Sequence, residues 1–279
     1  MKKLLLLILT LSLLLTCSPM AYTAGATGVQ QPKHLLVLGD SIAAHFGVAD
    51  GAGYDTHLTQ LLQGTGERWN STNWGVSGYT SEDLVTHISR KAEEADGRAT
   101  LEAADLICIS IGGNNLLRLL GSHGLDSLDG NGEIPWSKLA QIFTEGSDSV
   151  CTELKEDLGA IMRLIRKYNP DATVLVQNIH NVARDFEGGI SLFGKPLSVA
   201  ALADRFFDPI LRVIDEGAAE YGYHVADTYG AFSRSAERPL LRRELIHPNE
   251  AGHRLIAGVL FDKYTEARLP ITQKSEANI

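Results

Sequence analysis

The feature that most constrains this chain is a rhythm. Short apolar runs ending in turn residues alternate with segments whose apolar residues recur at helical spacing. Leu35-Leu36-Val37-Leu38 stops at Gly39-Asp40, as a strand buried on both faces does when it meets a turn. Trp69 to Val76, Asp105 to Ile111, Thr173 to Gln177 and His224 to Ala226 are further strand candidates. Between them, Tyr54, Leu58, Leu61 and Leu62 mark a helix stopped by Gly64 and Gly66, and Thr80 with Asp83 three residues on makes a cap-like start for a helix running to about Asp96. Leu154, Leu158, Ile161, Met162 and Ile165 form one apolar stripe ended by Asn169-Pro170. Asp208-Pro209 reads as the opening of a helix carrying Ile210, Val213, Ile214, Gly217 and Tyr221, and a last helix is expected from about Asn249 to Tyr264. Strands separated by helices of this length imply crossover connections and hence a parallel sheet covered on both faces. The expected fold class is α/β: a three-layer α/β/α sandwich with a mostly parallel sheet of about five strands. Ligands in such sheets bind beyond the carboxyl ends of the strands, so polar residues just after a strand are the first candidates for chemistry.

Two stretches break the rhythm. Gly121 to Pro135, rich in Gly, Ser and Asp, reads as a surface loop. Asn181 to Leu197 carries Phe186, Ile190, Leu192 and Phe193 among polar residues and Gly, as loops that cover a site often do. Phe186, Leu192 and Phe193 are therefore candidate substrate contacts, the plainer reading being that these side chains fold back on their own loop. No repeat or linker divides the chain, and 279 residues suit one sizeable domain, taken as 27–279.

Residues 1–26 read as a targeting segment. Lys2 and Lys3 precede an uncharged, Leu-dominated run from Leu4 to Leu15, short for a membrane span and the right length for a signal peptide. Ala24-Gly25-Ala26 offers cleavage before Thr27, whereas Leu14-Leu15-Thr16-Cys17 resembles a lipoprotein box and would leave a lipid anchor on Cys17. A retained membrane anchor is a third option, disfavoured by the small and polar residues from Ser18 to Gly28. The expected location is extracellular, or on the membrane as a lipoprotein. Three cysteines make no disulfide framework; Cys108 inside an apolar strand run and Cys151 at the opening of a helix read as buried or inert, though a bond between them stays open. The net charge of −9 argues against nucleic acid as the main partner, and loss of the first 26 residues would make it −11.

Four polar blocks follow strands or open the last helix. Gly39-Asp40-Ser41 ends the first strand and is expected to open a helix, whose N-terminus would favour negative charge at Ser41, although a Ser in that place is more often a simple cap. Asn73-Trp74-Gly75-Val76-Ser77-Gly78 and Ile111-Gly112-Gly113-Asn114-Asn115 end the second and third strands. Glu244-Leu245-Ile246-His247-Pro248-Asn249 sets an acid three residues before a His. With these four in order, from about His34 to Phe261, the chain resembles the SGNH hydrolases, also called the GDSL lipase/esterase family, whose blocks are carried by a Ser, a Gly, an Asn and a His.

That resemblance implies a flavodoxin-like fold and a serine ester hydrolase of lipase, esterase or acylhydrolase type, acting as a monomer on a small-molecule or lipid ester, with no cofactor and no metal. Ser41 would be the nucleophile and His247 its base. The N–H groups of Ser41 and Gly75 with the Asn114 amide would form the oxyanion hole. Glu244 stands where the family usually has Asp, and would either orient His247 or be a solvated acid beside a Ser–His dyad. Asn115 also replaces an Asp, which is expected to alter a supporting hydrogen bond, and Ile42 replaces a Leu at a packing position. A carbohydrate O-acetylesterase is the alternative chemistry, and a non-catalytic binding module the alternative class. His253, on the last helix, reads as structural or as a substrate contact, and no His-Glu-x-x-His run or Gly-x-Ser-x-Gly elbow occurs.

Overall fold

The computed structural model describes residues 31–122, 136–182, 184, 189–192, 195–243 and 246–269; side chains at 120–122, 136–147, 189–192 and 195–206 are outside that description. The targeting segment, the Gly- and Asp-rich stretch from 123 to 135, and Phe186, Phe193 and Glu244 therefore lie outside the described residues.

Five strands build the main sheet: β1 (Lys33–Gly39), β2 (Trp69–Gly75), β3 (Leu106–Ser110), β4 (Thr173–Gln177) and, after a separate hairpin of β5 (Gly189–Leu192) and β6 (Lys195–Ser198), β7 (His224–Ala226). All pair in parallel, in the order β2-β1-β3-β4-β7. The expected parallel sheet is thus present. The chain first moves outward from β1 to β2, then jumps back across β1 to continue through β3. Crossovers on the two sides of β1 leave on opposite faces, and the carboxyl ends of β1 and β3 face a crevice. Register aligns those ends, because Gly39 lies beside Gly75 on one side and Ser110 on the other.

Strand pleating divides the core. Leu36 and Leu38 point to one face with Ile107, Ile109, Val174 and Val176, and Leu35 and Val37 point to the other with Leu106, Cys108 and Leu175. On the first face lie α2 (Ser81–Glu93), α3 (Ala95–Ala103), α5 (Trp136–Tyr168) and α6 (Val199–Tyr221). The stripe Leu154, Leu158, Ile161, Met162 and Ile165 is buried there as expected. On the second face lie α1 (Tyr54–Gly64), α7 (Thr228–Arg234) and α8 (Glu250–Arg268), through Leu58, Leu62, Phe232, Ile256, Ala257 and Leu260. A short helix α4 (Gly113–Ser122) follows β3. No helix of the described residues is long and apolar enough to cross a membrane.

Several local expectations are corrected. Asn181 to Leu197 is not simply a loop, since its second half holds the antiparallel β5–β6 hairpin. Helix α6 begins nine residues before Asp208 and carries Pro209 inside it. Burial of Phe207, Ile210 and Ile214 along one stripe outweighs the local cost of the proline. The expected helix to Asp96 is two helices, bent at Glu94, which caps one and precedes the other. Leu61, counted with the apolar face of α1, is 40% exposed. Cys151 lies well inside α5 and not at its opening; Cys108 and Cys151 are both free, as favoured from the sequence, and burial raises the pKa of each thiol.

Asn169 ends α5 by more than helix-stopping propensity. Its buried amide donates to the carbonyls of Leu101 (2.8 Å) and Ala104 (2.8 Å), and its Oδ1 accepts from Ala172 N (2.9 Å). One side chain thereby ties α5 to the corner between α3 and β3. We expect Asn169→Ala to leave Ala104 O and Ala172 N without these partners, while Leu101 O keeps its bond from Ala104 N, and to lower unfolding free energy by about 2–4 kcal/mol, measured by urea denaturation. A loss below about 0.5 kcal/mol would show that water replaces the bonds.

Candidate active site

The site begins where β1 and β3 end together. A Cβ on Gly39 would lie 2.0 Å from Ser110 O, and Gly39 has φ +140°, so only glycine lets the two strand ends approach this closely. Asp40 N donates to Ser110 O at 3.0 Å. The buried Asp40 carboxylate accepts from Ile42 N (3.0 Å) and from the Ser110 hydroxyl (3.4 Å), so it braces the backbone on both sides of Ser41.

The helix expected at Ser41 does not form. Residues 41–47 are a tight turn in which Ala44 N donates to Asp40 O (2.9 Å) and Phe46 N to Ser41 O (3.0 Å). His45 has φ +56° and Gly47 φ +82°, and left-handed backbone cannot continue a right-handed helix. Ser41 therefore gains no helix dipole, and its placement comes from the turn and from the Asp40 bonds that brace it.

His247 reaches Ser41 from a distant part of the chain. Its Nε2 lies 3.0 Å from Ser41 Oγ, placed to accept the hydroxyl proton. The segment around it is pinned to residues 240–242: Arg242 N donates to His247 O (2.9 Å), Asn249 N donates to Leu240 O (2.9 Å), and Leu241 forms a bridge with Pro248. Asn249 then caps α8 by accepting from Gly252 N at 3.0 Å. Glu244, the expected orienting acid, is among the residues not described.

Asn114 stands in the first turn of α4, where its Nδ2 donates to Tyr79 O at 2.8 Å and keeps a second hydrogen to offer. Asn115 behind it is buried, accepts from Ser81 N (3.0 Å) and donates to Ser81 Oγ (2.8 Å) and Glu153 Oε1 (3.0 Å). An Asp there would meet Glu153 as a like charge with no proton to donate, so Asn is the residue this pocket accepts.

Gly75 is engaged differently from the sequence expectation. Its N–H donates to Asn73 Oδ1 at 2.7 Å, and a Cβ on it would lie 2.5 Å from Ala44 N. The missing side chain thus admits the turn after Ser41. Three residues on, Gly78 has φ +88° and open space around it, and neither its N–H nor that of Ser41 has a hydrogen-bond partner among the described residues. Both glycines sit in the same motif, and sequence does not show which N–H is already used. Asn73 also donates to Ala43 O (2.8 Å) and Asp55 Oδ2 (3.1 Å), and His45 Nε2 lies 2.8 Å from Asp55 Oδ1. Burial pushes the Asp55 carboxyl up, but hydrogen bonds from His45, Asn73 and Thr56 leave it below its usual value.

His253 is the structural histidine: buried, accepting from Tyr54 N at 3.3 Å, and pushed down to about 3 by burial and neighbouring histidines, so it is neutral. Among the described residues no group of three His, Cys, Asp or Glu side chains is placed to hold a metal ion. Of the expected substrate contacts, only the backbone of Leu192 is described, in β5. A residue the sequence reading did not single out is Phe46, 48% exposed with its ring centroid 4.6 Å from that of His247. Leu117, 37% exposed, lies three residues beyond Asn114.

Burial raises the Asp40 pKa to about 7, against opposing hydrogen bonds from Ile42 and Ser110. The folded state then holds this proton between about pH 4 and 7 while the unfolded chain has lost it, so this group makes stability fall as pH rises through that window. Asp40→Asn removes the effect. We expect the variant to gain stability relative to the parent from pH 4.5 to 8 in urea titrations, and a difference that stays constant with pH would contradict the assignment.

Comparison with known proteins bears on the fold and the family. Over 275 residues the chain is 22% identical to YpmR of Bacillus subtilis (strain 168), covering 97% of this chain and 96% of that one. The lipase Lip_vut3 from a goat rumen metagenome shares the fold with a TM-score of 0.63 and 18% identity, over 83% of this chain and 97% of its own. A mutant of Axe2, an acetyl-xylooligosaccharide esterase from Geobacillus Stearmophilus, gives a TM-score of 0.54 and 22% identity, over 83% of this chain and 93% of its own. Residues 37–255 match the GDSL-like Lipase/Acylhydrolase family, a span that contains Ser41, Asn114 and His247, and the chain belongs to that family.

Proposed function

We propose that the protein is a serine hydrolase of carboxylic esters. The observation that carries this reading is the 3.0 Å contact of Ser41 Oγ with His247 Nε2, at the crevice where β1 and β3 end. In this mechanism Ser41 attacks the ester carbonyl while His247 takes its proton, and the imidazolium then protonates the leaving alcohol. Water, activated by the same imidazole, releases the acid from the acyl-enzyme. The oxyanion is received by the Ser41 N–H and the free amide hydrogen of Asn114. Each donor is worth on the order of a hundredfold to a thousandfold in rate.

Phe46 supports an acyl chain as the group bound beside His247, because an exposed aromatic face there would be covered by alkyl carbons. The likeness to Axe2 supports the second reading, removal of acetyl groups from a carbohydrate. Lys2, Lys3 and the apolar run from Leu4 to Leu15 support export, with cleavage before Thr27 or lipidation of Cys17. Glu244 completes a triad in this account.

Hydrolysis of nitrophenyl esters from acetate to palmitate tests the proposal. We expect Ser41→Ala and His247→Ala to lower kcat about a thousandfold or more with unchanged thermal stability. Activity retained by folded Ser41→Ala would overturn the reading. Phe46→Ala is expected to lower kcat/KM for medium and long chains about tenfold and to spare acetate. Acetate-only activity in the parent would favour the carbohydrate deacetylase. For Glu244→Gln a loss of about tenfold or more is expected, and a variant matching the parent across the pH profile would replace the triad by a dyad.

A further inference from the structure

The Ile246–His247 peptide carries an anchor that belongs to none of the four motif blocks. His180, three residues beyond β4, places its Nε2 2.7 Å from Ile246 O. A carbonyl oxygen only accepts, so this nitrogen carries the proton, and the tautomer follows from the contact. The imidazole is buried, with Phe232 against it at 5.0 Å between ring centroids.

Because the peptide unit is planar, fixing Ile246 O fixes the plane from which the His247 Cα departs. The opposite side of that residue is fixed by Arg242 N, which holds His247 O at 2.9 Å. The catalytic imidazole is thus suspended between two anchored peptides, one held by the main chain of residue 242 and the other by a side chain from the far end of β4. We propose that His180 is a positioning residue for His247, acting as a fixed neutral N–H donor that sets the angle of the catalytic ring toward Ser41 Oγ. Burial pushes the His180 pKa down to about 4, the bond to Ile246 O opposes this, and the nearby His247 lowers it further. The donor is therefore neutral, and unchanged, across the range in which an ester hydrolase would work. This inference rests on the hydrolase reading above.

Two substitutions separate positioning from packing. His180→Phe fills the same space beside Phe232 and lacks the donor, whereas His180→Gln keeps an N–H at similar reach. With the preferred nitrophenyl ester we expect His180→Phe to lower kcat about ten- to a hundredfold, with KM within about twofold and the loss equal at every pH from 6 to 9. His180→Gln should recover most of the loss. Phe and Gln variants with equal kcat, or a Phe variant matching the parent, would overturn the proposal, whereas a parent with no Ser41-dependent turnover would overturn the hydrolase reading instead. Long-range proton–nitrogen spectra of the parent histidines need no variant to fold. His180 is expected as the Nε2–H tautomer from pH 5 to 9, and an Nδ1–H tautomer would likewise overturn the proposal.

Discussion

Everything at the site depends on how closely the carboxyl ends of β1 and β3 approach. A residue with no side chain at 39 lets Asp40 N bond Ser110 O, and the buried Asp40 carboxylate then ties Ile42 N and the Ser110 hydroxyl into the same knot. Ser41 is held between these bonds, at the start of a turn that closes through left-handed residues. The arrangement carries a cost in charge burial, reflected in the raised Asp40 pKa, and it yields a hydroxyl whose backbone has little freedom to move.

From that knot the site is assembled by parts remote in sequence. The Asn73–Asp55–His45 network fixes the turn from the β2 side, and Asn114 holds Tyr79 O from the end of β3. His247 arrives on a segment bonded to residues 240–242 and to His180. Each of the proposed catalytic groups is thus anchored to a different element. Building a site on strand ends and on bonded turns in this way favours preorganised donors over induced ones.

Much of this was legible in the chain. Leu35 to Leu38 and Leu106 to Ile109 could be read as buried strands because continuous apolar runs bounded by turn residues have few other uses. The residues after them could be read as a site because parallel sheets bind there. What escaped was set by tertiary partners. Pro209 suggests a helix start, but Phe207, Ile210 and Ile214 share a buried stripe that only the packed fold reveals. A helix after Ser41 fits the local pattern, and nothing local announces φ +56° at His45. That the Gly75 N–H is already bonded turns on the Asn73 side chain, and the role proposed for His180 on a carbonyl 66 residues away.

The central claim is that Ser41 is a nucleophile activated by His247. An alkyl fluorophosphonate, which phosphonylates only an activated serine, addresses it whatever the natural ester is. The account predicts a single adduct by intact mass, located by peptide mapping to the segment containing Ser41, and absent from His247→Ala. An adduct on another residue, or none on folded protein, would contradict it.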